Sequence, residues 1–118
     1  METKSKKKHI LDIAEELFCN YGSKDTTVRL IAQKADINTA MLNYYFNSKE
    51  NLFLIVFESK IDQFKDAEKR LDLQDKTSAE KLSIYIDFFI DLVIDNLSFF
   101  KLIMKEKLSN ENEKLLLL

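Results

Sequence analysis

Thr39, Ala40, Asn43 and Tyr44 fall on one side of a short helical pattern, and Leu42, Tyr45 and Phe46 fall on the other. The first set is small or polar at its N-terminal end. A helix with such a face can lie deep in a DNA major groove, where the base edges display their donors and acceptors. Other chemistry is sparsely supplied. One His and one Cys leave little for nucleophilic catalysis or a zinc cluster. The sequence holds no Ser/His/Asp set and no glycine-rich phosphate loop, so no catalytic residue and no cofactor are expected. Asp87, Asp91 and Asp95 recur at i, i+4, i+8, but three carboxylates along one helical line read as a solvated face rather than a metal site. His9 reads as a solvated side chain. Cys19 reads as a partly exposed free thiol, with redox sensing as the alternative.

Local signals place the elements that carry this face. Val28, Ile31, Ala32 and Ala35 sit at i, i+3, i+4, i+7 and predict a short amphipathic helix. Thr26 or Thr27 can cap it, since a hydroxyl there accepts from an orphan backbone N–H. Asp36-Ile37-Asn38 is long enough only for a turn. Ile37 is apolar enough to plug the gap between the helices, and Asn38 is a good N-cap for the second one. Upstream, Ile10, Ile13, Ala14, Leu17, Phe18 and Tyr21 predict a core-supplying helix over about 7–21, ended by Gly22. Downstream, Asn47 and Glu50 resemble a capping box. A long helix then follows through Leu52, Phe53, Val56, Phe57, Phe64, Ala67 and Leu71.

The blocks ILDIAEELFCNYG, TTVRLIAQKA and INTAMLNYYFNSKENLF occur in this order at these separations. Together they resemble the DNA-binding domain of the TetR family of bacterial transcriptional regulators, over about residues 4–64. The resemblance implies an all-α fold: a three-helix helix-turn-helix DNA-binding domain joined by a long fourth helix to a partial helical bundle. The motif spans about 27–46, and residues 65–118 correspond to part of a ligand-binding and dimerisation region. It also implies roles. Asn38, Thr39 and Ala40 face bases or adjacent phosphates, and Arg29 reaches a guanine edge or a phosphate. Thr27, Asn43, Tyr44, Tyr45 and Lys49 mostly hold the DNA backbone. Asn43 and Tyr45 stand where many relatives carry Tyr and His, and Asp36 stands where Gly is usual in the turn. Asp tolerates left-handed geometry better than most residues.

By the same resemblance, the partners are a double-stranded DNA operator, a small apolar effector and, in full-length members, a second copy of the chain. Effector binding shifts the fourth helix, so that two readers lose the spacing of successive major grooves, about 34–36 Å. Family members are usually nearly twice this long and pair through their last helices. The chain therefore reads as a reader without its usual clamp, whether truncated, a fragment or naturally short. The alternative function is a helical interaction module that pairs with a full-length relative and does not bind DNA tightly alone.

Composition agrees with a helical, globular chain: 118 residues, 46% hydrophobic, 32% charged, one Gly and no Pro. The net charge of −2 is unevenly spread, with +1 in residues 1–60 and −3 in 61–118. Lys4, Lys6, Lys7 and Lys8 concentrate the positive charge at the start. They read either as an arm meeting phosphates or as a frayed, solvated terminus. No apolar signal segment follows them, so a cytoplasmic protein is expected. Asp72 to Ser78 loses periodicity and marks a boundary. Beyond it, Leu82, Tyr85, Ile86, Phe89, Val93 and Leu97 predict a fifth helix capped by Thr77 or Ser78. Its aspartates exclude a membrane span, which needs about 20 nearly uncharged residues. Phe99, Phe100, Leu102, Ile103, Met104 and Leu108 predict a sixth helix, apolar on both sides, as plain core or as the lining for an apolar effector.

Overall fold

The computed structural model describes residues 2–109. Among them the chain forms six α-helices: α1 Glu2–Asp25, α2 Val28–Lys34, α3 Thr39–Phe46, α4 Lys49–Lys69, α5 Ser78–Asp95 and α6 Leu97–Ser109. The leucine run at 115–118, expected to look like a helix cut short, lies outside the described residues.

One hydrophobic core joins α1, α2, α3, α4 and α6. The stripe predicted for the first helix supplies Ile10, Ala14, Leu17 and Phe18, all buried. The short helices add Ile31, Ala32, Leu42 and Phe46, and α4 adds Leu52, Phe53, Val56 and Phe57. Phe18 meets Phe53 edge to face at 5.0 Å between ring centroids, an arrangement that suits the ring quadrupoles. From α6, Phe99 stacks on Phe57 at 5.9 Å, and Phe100 stacks on Phe64 at 5.6 Å. Lys60 and Glu15 add a partly buried ion pair of 3.0 Å between α4 and α1.

Several boundaries differ from the sequence reading, each for a local reason. The first helix begins at Glu2 rather than at about Lys7, so Lys4 and Lys6 also lie in helical turns. Gly22 does interrupt it, at φ 82° and ψ 167°, but one more helical turn follows to Asp25. The bend is therefore a kink, which a Cβ-bearing residue would strain. Asn47 does not cap α4. It closes α3 at φ 68°, with its N–H on Asn43 O, and so cannot take the extended cap geometry. Ser48 takes that role at φ −150°, its side chain accepting from Asn51 N at 3.1 Å. Leu71 lies past the end of α4, in the connection to α5.

The largest departure concerns α5. Thr77 caps it in a full capping box with Glu80, as one of the two expected caps. Yet none of its residues is buried. Leu82, Phe89 and Ile94 are 62, 60 and 65% exposed. The predicted stripe is present on the helix but mostly exposed, whereas Ile84, Phe88, Leu92 and Val93 are half-buried. Met104 and Leu108 of α6 are likewise exposed, while Phe99 and Leu102 point inward. Asp87, Asp91 and Asp95 are solvent-facing, as the sequence reading had them. No helix among the described residues is long and apolar enough to cross a membrane.

Candidate nucleic-acid interface

Thr26 and Thr27 begin the site with two different duties. Thr26 is completely buried, and its Oγ1 lies 2.7 Å from Gly22 O and 3.1 Å from Leu17 O. One hydroxyl proton shared between these carbonyls anchors the start of α2 to the kinked end of α1. Thr27 is the actual cap, at φ −102° and ψ 154°, its Oγ1 accepting from Leu30 N at 3.1 Å. That leaves the Thr27 hydroxyl proton available to a phosphate oxygen. The sequence reading left the cap open between the two; the buried one is the anchor.

The turn forms because Asp36 accepts φ 57°, as expected of an Asp in place of a Gly. Ile37 packs against the core from within the turn, and its N–H reaches Ala32 O at 3.0 Å. Asn38 then opens α3 in extended geometry, with Oδ1 accepting from Met41 N at 2.7 Å. Capping uses the amide oxygen, so the Asn38 side chain turns its NH2 group, a double donor, to the outside. Leu42 and Phe46 are buried beneath α3, and Asn51 Nδ2 donates to Phe46 O at 2.8 Å at its far end. Helix α3 is thus capped at its start and held to its neighbours at its far end and along one side. Nothing in the sequence pattern singled out Asn51; its position one turn into the next helix is the only signal.

Thr39, Ala40, Asn43 and Tyr44 share the exposed side of α3, Tyr44 at 83% exposure. Thr27 and Arg29 are exposed at the start of α2. Lys49 is half-buried in the first turn of α4. Tyr45 sits differently from the other candidates. Half-buried, it meets Tyr44 at 5.5 Å and Phe46 at 6.3 Å, and Lys7 Nζ stands 5.7 Å from its ring centroid. Its ring is therefore part packing and part surface. A groove at the start of α3 is lined by Lys6, His9 and Ile10 of α1 and by Ala35, Asp36, Ile37, Asn38 and Met41.

Two further features concern the titratable groups behind this face. Cys19 is half-buried, and burial, with Glu15 nearby, raises its thiol above the usual range; Lys60 opposes this more weakly. A raised thiol is a poor nucleophile at neutral pH. Among the described residues no group of three or more His, Cys, Asp or Glu is placed to hold a metal ion.

A seven-residue helix, a turn with one left-handed residue and an eight-residue helix with an exposed polar face define a helix-turn-helix protein. Residues 10–56 match the family described as bacterial regulatory proteins, tetR family. The chain belongs to that family, a class of regulators rather than enzymes. It is 33% identical over 79 residues to the HTH-type transcriptional regulator QacR of Staphylococcus aureus, a match that takes in 67% of this chain and 42% of QacR. It is 35% identical over 86 residues to the HTH-type transcriptional repressor NicS of Pseudomonas putida, covering 70% of this chain and 41% of NicS. A solved HlyIIR mutant protein superposes with a TM-score of 0.71 at 26% identity, over 96% of this chain and 61% of its own. The chain thus spans less than half the length of QacR and of NicS.

Proposed function

We propose that this chain is a sequence-specific DNA-binding transcriptional regulator, a repressor relieved by a small-molecule effector. In this reading residues 4–64 form the DNA-binding domain and 65–118 part of the effector and dimerisation region, and the protein acts in the cytoplasm. One observation carries the reading: α3 is pinned by Asn38, Asn51, Leu42 and Phe46, yet presents Thr39, Ala40, Asn43 and Tyr44 to solvent. A rigid helix with a small, polar outer face fits the major groove and reads base edges without a large ordering cost. Arg29 offers paired donors to guanine, and Thr27, Tyr45 and Lys49 hold phosphates on either side. The effector would be apolar, because Leu97, Phe100, Met104 and Leu108 line a groove on α6 with Lys101 and Lys105.

Selection from a randomised duplex pool tests this reading. A converged sequence is the expected result; Arg29→Ala and Tyr45→Ala should then weaken binding about 10-fold or more, with the helical content unchanged. A pool that does not converge, or two variants that bind like the parent, would sink the assigned reader surface.

A second reading has one observation in its favour. The uncovered apolar side of α5 suits a module that pairs with a full-length relative and binds DNA weakly alone. Light-scattering mass in solution separates the two. A dimer that binds the selected duplex supports the regulator with paired readers. A monomer that gains DNA affinity only when a full-length relative is added supports the module.

A further inference from the structure

We propose that the first two turns of α1 form a separate phosphate-binding surface beside the reader, in which Lys4, Lys6 and Lys7 grip the DNA backbone bordering the groove that α3 enters. The proposal rests on the DNA-binding reading above and adds to it a contact outside the helix-turn-helix. Helix α1 starts at Glu2, whereas the family match and the first buried residue both begin at Ile10. Residues 4–9 are all exposed, so no burial holds these turns in place. Helical turns without a packed face are marginal. These turns are also electrostatically unfavourable by themselves. Four lysines crowd the positive end of a helix dipole, and Lys4 and Lys8 face each other as like charges at i, i+4. Lys8 is offset by Asp12, at 3.3 Å, but that pair is well exposed. An external polyanion is the partner that turns this arrangement from a cost into a gain.

Position points to the same partner. Lys7 Nζ stands over the Tyr45 ring at 5.7 Å, which ties the basic turns to the last turn of α3. Lys6 and His9 line the groove shared with Asp36, Asn38 and Met41, which brings the same turns beside the start of α3. The basic segment therefore runs alongside the reading helix at both its ends. A helix seated in the major groove has phosphate strands along both borders, so side chains flanking it meet the backbone rather than the bases. The contact adds affinity and salt dependence, not sequence preference.

The test uses a duplex selected by the parent chain and a scrambled duplex of equal length, each titrated across a salt series. K4Q/K6Q/K7Q should weaken binding to both duplexes by the same factor. The slope of log affinity against log salt should fall in magnitude by about 2 to 3, at roughly 0.9 per phosphate contact. The preference ratio should stay that of the parent. K4R/K6R/K7R should restore both slope and affinity, which a merely structural role for these turns would not require. A glutamine variant with the parent's slope, while the parent still prefers its selected duplex, overturns the phosphate surface and leaves the reader intact. Failure of the arginine variant to restore binding also overturns it. A parent chain that binds neither duplex overturns this proposal together with the DNA-binding reading.

Discussion

Helices α3 and α5 begin alike and end differently. Each opens on a side-chain cap, Asn38 for α3 and Thr77 for α5, and each carries large apolar residues at helical spacing. In α3 those residues, Leu42 and Phe46, go under the helix and lock it to α2 and α4. In α5, more than twice as long, no residue is buried. The short helix is held because α2 and α4 both close over its apolar side. The long one relies on its backbone bonds, its cap and whatever covers its apolar side. Amphipathic pattern thus states which residues share a face; it does not state that the face is occupied. An exposed apolar side of this kind suits pairing, which is why pairing belongs to both proposed readings.

The sharpest way to break this comparison is to truncate one apolar residue in each helix. Leu42→Ala should cost about 2–5 kcal/mol in denaturant unfolding, since a cavity remains in a closed core. Phe89→Ala should change stability by no more than about 0.5 kcal/mol, as expected of an exposed site. Equal losses would mean that α5 is covered in solution and that the contrast is wrong.

A smaller effect is expected where α6 meets the kink of α1. Glu106 is only 2% exposed, and its Oε1 accepts from Ser23 N at 3.1 Å, across 83 residues of sequence. Lys105 lies against the same kink, its Nζ 3.2 Å from where a Cβ on Gly22 would stand. Glu106→Ala should cost about 1–3 kcal/mol, because the buried Ser23 N–H loses its acceptor. Glu106→Gln keeps an acceptor oxygen and should cost less. If both variants match the parent in thermal unfolding, α6 is not anchored through this bond. The contact would also let a shift of α6 reach Gly22 and Thr26, directly upstream of the reader.

The smallest effect tests the α5 cap. Glu80 accepts from Thr77 N at 3.0 Å, and this bond first, with the Thr77 side chain second, lowers its carboxyl below the ordinary 4.5. A carboxyl lowered in the folded state contributes above its unfolded value, and that contribution is lost as pH falls through the folded one. The α5 N-terminus should therefore loosen as pH falls through the lowered Glu80 titration, while α3, capped by a neutral Asn38, does not. Amide exchange at residues 78–82 against 39–43 reads this directly; equal pH dependence in both would refute it.

Much of the site was legible because its determinants are local. Thr27 and Asn38 cap because their oxygens reach an N–H three residues on, and Asp36 turns because its own backbone permits it. The outward set Thr39, Ala40, Asn43 and Tyr44 follows from 3.6-residue periodicity alone. Misplacing the α4 cap at Asn47 shows the limit of such local signals. Asn47 and Ser48 are both good caps, and only the demand of α3 for a left-handed closing residue separates them. Other residues depended on what lies opposite in space. Thr26 looked like a cap and is a buried anchor. Tyr45 looked like a plain core or backbone residue and shares its ring with Lys7.

The sequence by itself determined the six helices, the Asn38 cap, the turn and the side of α3 that points outward, since each depends on residues within a turn or two of one another. Tertiary structure alone decided that α6 closes on α1 through Glu106, that the lysine turns lie beside α3, and that Leu82, Phe89 and Ile94 of α5 stay exposed among the described residues. Burial is a property of two surfaces that meet, and the second surface here comes from residues up to 83 positions away.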